Sequence, residues 1–338
     1  MCKILISEKG YNNNLYSVIE LIFLDIGMDL RQLRYFVQIV ESGSFAKASR
    51  QLYIAQPALS QHIAKLESEV GKPLLIRTAK GVTPTENGTA LLHQARFILR
   101  QLEQALSIAR QEPGTVHGMV SVGLAATTVC AVGAPFMRRI REKYPGIVLN
   151  IVEGMSGHLA QMMRLGQLDL AILFSRDAVS DLPCEPLVEE ELFILLPEDS
   201  NLVPPRRIKL SCEETAHLPL ILPTGIHGLR RRITAEFERR NLVLNVVAEV
   251  DSLSLLMTCV RDGMGATIKP ISAVFTEGRR RDGWRTMAFS DAHMKRPNFL
   301  YSVDPERMSP ATAAVRAELR NTVKQLVEQN EWEGVDLL

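Results

Sequence analysis

Short polar side chains cluster at the start of one predicted helix, QPALSQHIAKLESEV, which runs from Gln56 to Val70. Gln56, Ser60 and Gln61 offer hydrogen-bond donors and acceptors on its polar face. That chemistry suits the floor of a DNA major groove, where each base pair presents its own pattern of donors and acceptors. An ordinary amphipathic surface helix has the same pattern, so the surrounding elements must decide between the two interpretations.

Apolar spacing in this segment predicts one helix with a single buried stripe. Pro57 fits the first helical turn, where the N–H that it lacks would be unpaired anyway, and Gly71 supplies a left-handed stop. The stripe repeats every three or four residues, as in an α-helix. Its members are Leu59, Ile63, Leu66 and Val70.

Two further helices are predicted before Gln56. The first ends at Ser42-Gly43, and the second follows Ser44, a residue type that caps helices. Their apolar positions are Leu33, Phe36, Val37, Val40, Phe45, Ala48 and Leu52. A turn over residues 53–55 leads into the Gln56 helix, which predicts a helix-turn-helix with the second helix placed for reading bases. Extended pieces at 74–77 and 81–83 then predict a wing, from which Arg77 and Lys80 can reach phosphate or a minor groove.

These residues resemble the signature of the LysR-type transcriptional regulators, and the likeness runs from Met28 to the end of the chain. The matching positions are Phe45, Ala48, Leu52, Gln56, Pro57, Ala58, Leu59, Ser60, Ile63, Leu66, Glu67, Gly71, Leu74, Arg77, Thr85 and Gly88. The stretches 74–88 and 263–270 resemble the nitrogen assimilation control branch of that family. Ser49, Leu75 and Asn87 depart from the family's usual Ala, Phe and Ala.

The resemblance implies sequence-specific binding to double-stranded DNA by the helix-turn-helix. We expect base contacts from Gln56, Pro57, Ala58, Ser60 and Gln61. We expect contacts to phosphate or groove walls from Arg34, Arg50, Lys65, Arg77 and Lys80, which would give most of the salt-dependent affinity. The family commonly forms dimers and tetramers, and it contacts RNA polymerase.

Charge is distributed in agreement with that expectation. The 338-residue chain has a net charge of only +1, but residues 28–112 hold 11 Lys and Arg against 7 Asp and Glu, a net of +4. Residues 113–338 hold 26 against 28, a net of −2. Positive charge is therefore concentrated in the part expected to touch DNA.

The remaining composition indicates a cytoplasmic globular protein. Five cysteines are scattered without a zinc spacing, which indicates reduced thiols, with a redox-sensing pair as the alternative. Residues 1–27 are expected to be a poorly ordered extension or to precede the true start at Met28. Their apolar stretch is too short to span a membrane and includes Glu20 and Asp25.

A long helix is predicted to follow the wing, with Thr83, Pro84 and Glu86 as its capping box. It runs to about Glu112, and Pro113-Gly114 reads as a hinge. A heptad-like seam along this helix favours dimerisation over packing within one domain. The seam positions are Leu91, Ala95, Ile98, Leu102, Ala105 and Ala109.

After residue 117, alternating strand and helix patterns predict parallel α/β structure. We therefore expect an α/β fold with an α-rich head, a winged helix-turn-helix followed by a linker helix, and the resemblance implies that the α/β part forms two subdomains. The resemblance implies an effector-binding domain similar to periplasmic solute-binding proteins, with residues 192–196 and 298–303 as the candidate crossovers. The expected limits are 1–27, 28–86, 87–114, 115–310 (subdomain I at 115–192 and 299–310, subdomain II at 193–298) and 311–338.

A small, anionic effector is expected in the cleft outside the carboxyl ends of the parallel strands. The candidate effector-binding residues are Thr127, Thr128, Ser156, Thr224 and Lys269. Helix capping and turn formation are the alternative role of each Ser and Thr.

A cytoplasmic small-molecule-binding protein without a DNA role is the second hypothesis for the function of the chain. An enzyme is disfavoured, because HExxH, GxSxG and phosphate-loop motifs are absent, and no metal, cofactor or membrane partner is expected.

Overall fold

The computed structural model describes residues 28–78, 81–109, 116–225, 227–277, 282–305 and 308–338. Three of the sequence-based predictions lie outside these residues: the extension 1–27, the role of Lys80, and the hinge at Pro113-Gly114. The chain divides into one unit ending at Glu103 and a second beginning at Gln104.

Helices α1 (Leu30–Ser42), α2 (Phe45–Leu52) and α3 (Gln56–Val70) enclose the core of the first unit. A capping box at Asp29 begins α1, and the Ser44 side chain caps α2. The three apolar stripes meet, which confirms the helix-turn-helix, but Val70 at the end of the predicted α3 stripe is exposed because the core ends at Leu66. The buried core consists of Phe36, Ile39, Phe45, Ala48, Leu59, Ile63, Leu66, Leu74, Leu75 and Leu92.

Strands β1 (Leu75–Thr78) and β2 (Gly81–Pro84) form the predicted wing as an antiparallel pair. The Glu67 carboxylate fixes its start, because it accepts hydrogen bonds from the N–H groups of Leu74 (2.8 Å) and Leu75 (3.1 Å). Gly81 lies at φ +132°, where a Cβ would stand 2.7 Å from the Gly43 carbonyl oxygen. The wing therefore packs tightly on the turn between α1 and α2.

The capping box predicted for the long helix is wrong. Thr83 and Pro84 belong to β2, where they pair with Ile76 and Leu75. Helix α4 (Glu86–Ala109) is instead capped by Thr85, whose Oγ1 accepts a hydrogen bond from the Gly88 N–H at 2.9 Å. Strand pairing removes Thr83 and Pro84 from the helix, so the cap moves to the first hydroxyl after the ladder.

Apolar side chains along α4 change from buried to exposed toward its C-terminal end. Ala95 is fully buried, whereas Ile98, Ala105, Leu106 and Ala109 are exposed. The second half of the predicted seam is thus uncovered in the single chain.

A six-stranded sheet organises one half of the second unit, in the order β14-β6-β13-β5-β3-β4. Strand β3 pairs in parallel with β4 and β5, as predicted, whereas β6, β13 and β14 run antiparallel to their neighbours. The strands are β3 (Gly118–Leu124), β4 (Ile147–Glu153), β5 (Leu170–Leu173), β6 (Cys184–Glu191), β13 (Lys295–Ser302) and β14 (Val335–Leu337).

Helices cover this sheet. Helix α5 (Ala126–Thr128) continues through a π-helical turn (Val129–Gly133) into α6 (Ala134–Lys143). Helices α7 (Ser156–Arg164) and α11 (Pro310–Glu328) complete the set.

The other half contains a four-stranded sheet, ordered β11-β7-β12-β8, and the parallel pair β9-β10. Its strands are β7 (Phe193–Pro197), β8 (Lys209–Leu210), β9 (Leu220–Leu222), β10 (Val246–Glu249), β11 (Thr267–Lys269) and β12 (Trp284–Phe289). Its helices are α8 (Cys212–Ala216), α9 (Gly228–Glu238) and α10 (Leu253–Arg261), with a 3-10 helix at Ile271–Glu277.

The chain passes between the two sheets twice. The first passage links β6 to β7 through Leu192, at the start of the predicted crossover 192–196. The second links β12 to β13, and β13 begins at Lys295, ahead of the predicted crossover 298–303. Strand β7 lies wholly in one sheet and β13 wholly in the other, so the passages themselves are short links.

Candidate nucleic-acid interface and ligand cleft

Helix α3 presents opposite faces to the core and to solvent. Leu59, Ile63 and Leu66 are buried on one side. Of the predicted base-contacting residues on the other side, Gln56, Pro57 and Gln61 are exposed, and Ala58 and Ser60 are half-buried. The structure therefore brings the five together on one accessible surface.

Arg77 connects the wing to this surface. Its guanidinium donates a hydrogen bond to Ser60 Oγ at 3.3 Å and lies 4.4 Å from the centre of the Phe45 ring. The cation is thereby held beside the polar face of α3, where a phosphate would also meet the wing.

The other predicted phosphate contacts lie on three helices. Arg34 on α1 and Arg50 on α2 are exposed, and neither makes an ion pair with another described residue. Lys65 on α3 is exposed and lies 3.6 Å from Glu69. Ser49, a departure from the family pattern, donates to the Ile54 carbonyl at 2.7 Å and so stabilises the turn before α3.

A cavity of about 260 Å³ lies in the second unit, where β3, β4 and β11 end and α7, α9 and α10 begin. Its lining residues are Ala125, Ala126, Thr127, Glu153, Gly154, Met155, Ser156, Phe174, His227, Leu229, Asp251, Ser252, Leu253, Ser254, Lys269 and Arg296. Both halves of the unit contribute, so this cavity occupies the predicted cleft. A larger opening of about 770 Å³ beside Glu198, Asp199 and Arg261 includes none of the predicted residues.

Three of the five predicted effector-binding residues, Thr127, Ser156 and Lys269, line the cleft. Thr224 acts through a neighbour, because its N–H and hydroxyl both donate to the Asp251 carboxylate, at 3.0 Å each. Thr128 is fully buried and does not line the cavity.

Arg296 is a cleft residue that sequence reasoning missed. Its guanidinium pairs with Glu190, donates to Thr127 Oγ1 at 3.0 Å and stacks 3.7 Å from the Phe174 ring centre. Asn298 also donates to Glu190, at 3.0 Å. The alternation of Arg296, Asn298 and Leu300 along β13 was the available signal, because alternate residues of a strand share a face.

Lys269 is the buried cation without a counter-ion. It is 6% exposed, and no hydrogen bond or ion pair joins its ammonium to another described residue. Its pKa is lowered to about 7, mainly by burial and to a smaller extent by the nearby charge of Arg296, with Asp251 partly opposing both. Since an unpaired buried ammonium is costly, the site favours an anion beside it.

His227 stays neutral in this setting. Burial, followed by the charge of Lys269, lowers its pKa to about 4. Its Nδ1 accepts a hydrogen bond from the Leu229 N–H at 3.3 Å, which begins α9. His227 is therefore a helix cap and polar wall of the cleft at neutral pH.

A further source of hydrogen-bond donors is the start of α7. Its N-cap, Met155, supplies no side-chain cap, whereas Ser252 caps α10. The first N–H groups of a helix have no partner within the helix and attract negative charge. These N–H groups and Lys269 give the cleft hydrogen-bond donors from both halves of the unit.

Features of two other functional classes are missing from the described residues. None of their helices combines the length and apolarity that crossing a membrane requires. Nor do His, Cys, Asp or Glu side chains gather there in groups of three or more that could bind a metal ion.

Two family models cover the chain. Residues 30–89 match the lysR-family bacterial regulatory helix-turn-helix protein model, and residues 113–324 match the LysR substrate binding domain. The nitrogen assimilation regulatory protein nac of Klebsiella aerogenes is 38% identical over 76% of this chain and 83% of its own length. The protein of the same name in Escherichia coli K12 is 32% identical over 91% of this chain and 100% of its own length.

Among solved structures, a mutant of Corynebacterium glutamicum OxyR is 28% identical, with a TM-score of 0.54 over 89% of this chain and 94% of that one. These relatives are regulators rather than enzymes. The winged helix-turn-helix and the two-sheet domain, each matched by its own family model, place this chain in the LysR family of DNA-binding transcriptional regulators.

Proposed function

We propose that a small anionic effector binds in the cleft and modulates the DNA contacts of this regulator. The observation that carries the proposal is Lys269, a buried ammonium that lines the cleft without a counter-ion. Thr127 and Ser156 supply hydroxyls from the other half of the unit. Ligand binding would exchange the cost of a lone buried charge for a charge-assisted hydrogen bond. Thr224 orients Asp251.

The proposed DNA roles follow the exposed face of α3. Gln56, Pro57, Ala58, Ser60 and Gln61 read base edges. Arg34, Arg50, Lys65, Arg77 and Lys80 bind phosphate or groove walls. Base contacts give specificity and phosphate contacts give affinity, so the two groups differ in how their loss affects binding.

Assembly and partners complete the proposal. One reading helix covers half a site, so the active form is a dimer joined through α4, with two dimers forming a tetramer. The complex works in the cytoplasm with RNA polymerase. The proposed limits are 28–86 for DNA binding, 87–114 for the linker, and 115–310 for the effector domain, with 193–298 as subdomain II.

Genome-wide mapping of DNA bound by the tagged protein tests the DNA roles. We expect sharp peaks that share an interrupted palindrome and disappear in Gln56→Ala. The Lys65→Ala variant should instead bind the palindrome and unrelated DNA more weakly by a similar factor. The dependence of its affinity on salt concentration should also be less steep. Unchanged operator affinity in Gln56→Ala would exclude α3 as the reading helix.

A further inference from the structure

Charges of opposite sign lie at different depths of the cleft. Lys269 and Arg296 are at the inner end, and they are 6% and 3% exposed. Glu153, at the end of β4, and Asp251, before α10, also line the cleft but are exposed. The cavity is therefore positive inside and negative at its rim.

Of the two inner cations, Lys269 is the one without a counter-ion among the residues that the structure describes. Glu190 neutralises Arg296 through a buried ion pair, which Asn298 supports. The Lys269 ammonium makes no hydrogen bond or ion pair with the described residues. One ligand carboxylate at the inner end would neutralise the Lys269 ammonium. A second ligand carboxylate would find no other cation there that lacks a counter-ion.

The rim carboxylates are available for a ligand cation. The Glu153 carboxylate makes no hydrogen bond or ion pair with another described residue. Thr224 holds Asp251 in a fixed orientation through its N–H and hydroxyl. These hydrogen bonds lower the pKa of Asp251, so it is ionised at neutral pH. A dicarboxylate long enough to reach the rim would face two like charges.

We infer that the effector is a small zwitterion of the α-amino acid type. Its carboxylate binds Lys269 and Thr127, and its ammonium faces Glu153 and Asp251. Its side chain packs against Phe174, within a cavity of about 260 Å³ that suits a compact molecule. This inference rests on the proposed function, because it names the chemical class of the effector in the same cleft.

The test uses the full-length protein and measures its thermal transition with each of the twenty L-amino acids. The probes that raise Tm are then titrated by calorimetry. Each is compared with its N-acetyl derivative, which has no ammonium, and its α-amide, which has no carboxylate. Succinate and benzoate serve as simple anions.

Two variants separate the ends of the ligand. Glu153→Gln should weaken amino acid binding by about tenfold, the equivalent of one charge-assisted hydrogen bond. Lys269→Met should abolish binding. Glu142→Gln is the matched control, because Glu142 is also an exposed glutamate but lies on α6, outside the cleft lining. This variant should bind the amino acid as tightly as the unmodified protein does.

Three results are distinguishable. Binding of an amino acid but of neither derivative, with weaker binding in Glu153→Gln and none in Lys269→Met, supports the inference. Binding of succinate or benzoate in preference to every amino acid overturns the zwitterion and leaves an anionic effector standing. If no probe binds while operator DNA is still bound, both the zwitterion and the anionic effector are overturned, and the DNA-binding role is retained.

Discussion

At the scale of single residues, Lys269 shows how burial creates a functional demand. The sequence around Lys269 does not show that its charge lacks a counter-ion. It was predicted as a cleft residue only from its position at the end of a predicted strand. Arg296 and Glu190 were missed because their pairing joins residues far apart in the chain, on β13 and β6. A local pattern cannot report a contact of that kind.

Replacing Lys269 should stabilise the protein while removing its ligand response. Lys269→Met exchanges a buried, unpaired ammonium for an apolar side chain of similar length, so the free energy of unfolding should rise by about 1–4 kcal/mol. Tm should increase by about 2–4 °C for each kcal/mol. Lys324→Met, at an exposed lysine, should change Tm little. A lower Tm for Lys269→Met would show that the ammonium has a stabilising partner.

Effector affinity should fall as pH rises above neutrality. Lys269 has a pKa of about 7 in the free protein, and a bound carboxylate favours the charged ammonium, so its pKa rises on binding. Affinity is therefore constant below pH 7 and decreases by up to about tenfold per pH unit above it. Three charged or titratable groups face Lys269: the Arg296 guanidinium, which pairs with Glu190, the Asp251 carboxylate and His227. Over this pH range Asp251 stays ionised, and His227, with a pKa of about 4, stays neutral.

Calorimetry between pH 6 and 8.5 tests this dependence. Binding above pH 7 should take up a proton, which is detected as a heat that varies with the ionisation enthalpy of the buffer. A pH-independent affinity without proton uptake would remove Lys269 from the binding reaction.

At the scale of elements, segments with a strong local periodicity were predictable, whereas segments whose structure depends on pairing with distant strands were not. The stripe of α3 and the parallel order of β3, β4 and β5 follow from local spacing. Strand β6 has the sequence CEPLVEEE, and its proline and four glutamates are more typical of a loop than of a strand. It is a strand because β13 and β14 pair with it on both sides. The start of α4 was misplaced for the same reason, since pairing of the wing removed its predicted cap.

The corrected cap can be tested with two neighbouring threonines. Thr85→Ala removes the acceptor for the Gly88 N–H and a 2.8 Å hydrogen bond to the Pro73 carbonyl. It should lower the free energy of unfolding by about 0.5–2 kcal/mol. Thr83→Ala, at an exposed position in β2, should change it by less than about 0.5 kcal/mol. Denaturant unfolding compares the two, and the reverse order would restore the predicted cap at Thr83.

At the scale of the whole molecule, the exposed second half of α4 is the surface through which we propose that two copies associate. Ala105 and Ala109 continue the heptad-like seam into solvent, where a second copy would cover them. Ala105→Glu should therefore leave the fold of each chain intact and break the dimer, because the seam would bury a carboxylate without a counter-ion. Sedimentation velocity should show a shift to monomer, and operator affinity should fall because each chain then contacts a single half-site. Glu103→Ala, also exposed on α4 but off the seam, is the control and should remain assembled. If Ala105→Glu is fully assembled, the chains associate through another surface, and α4 connects the two units without joining the copies.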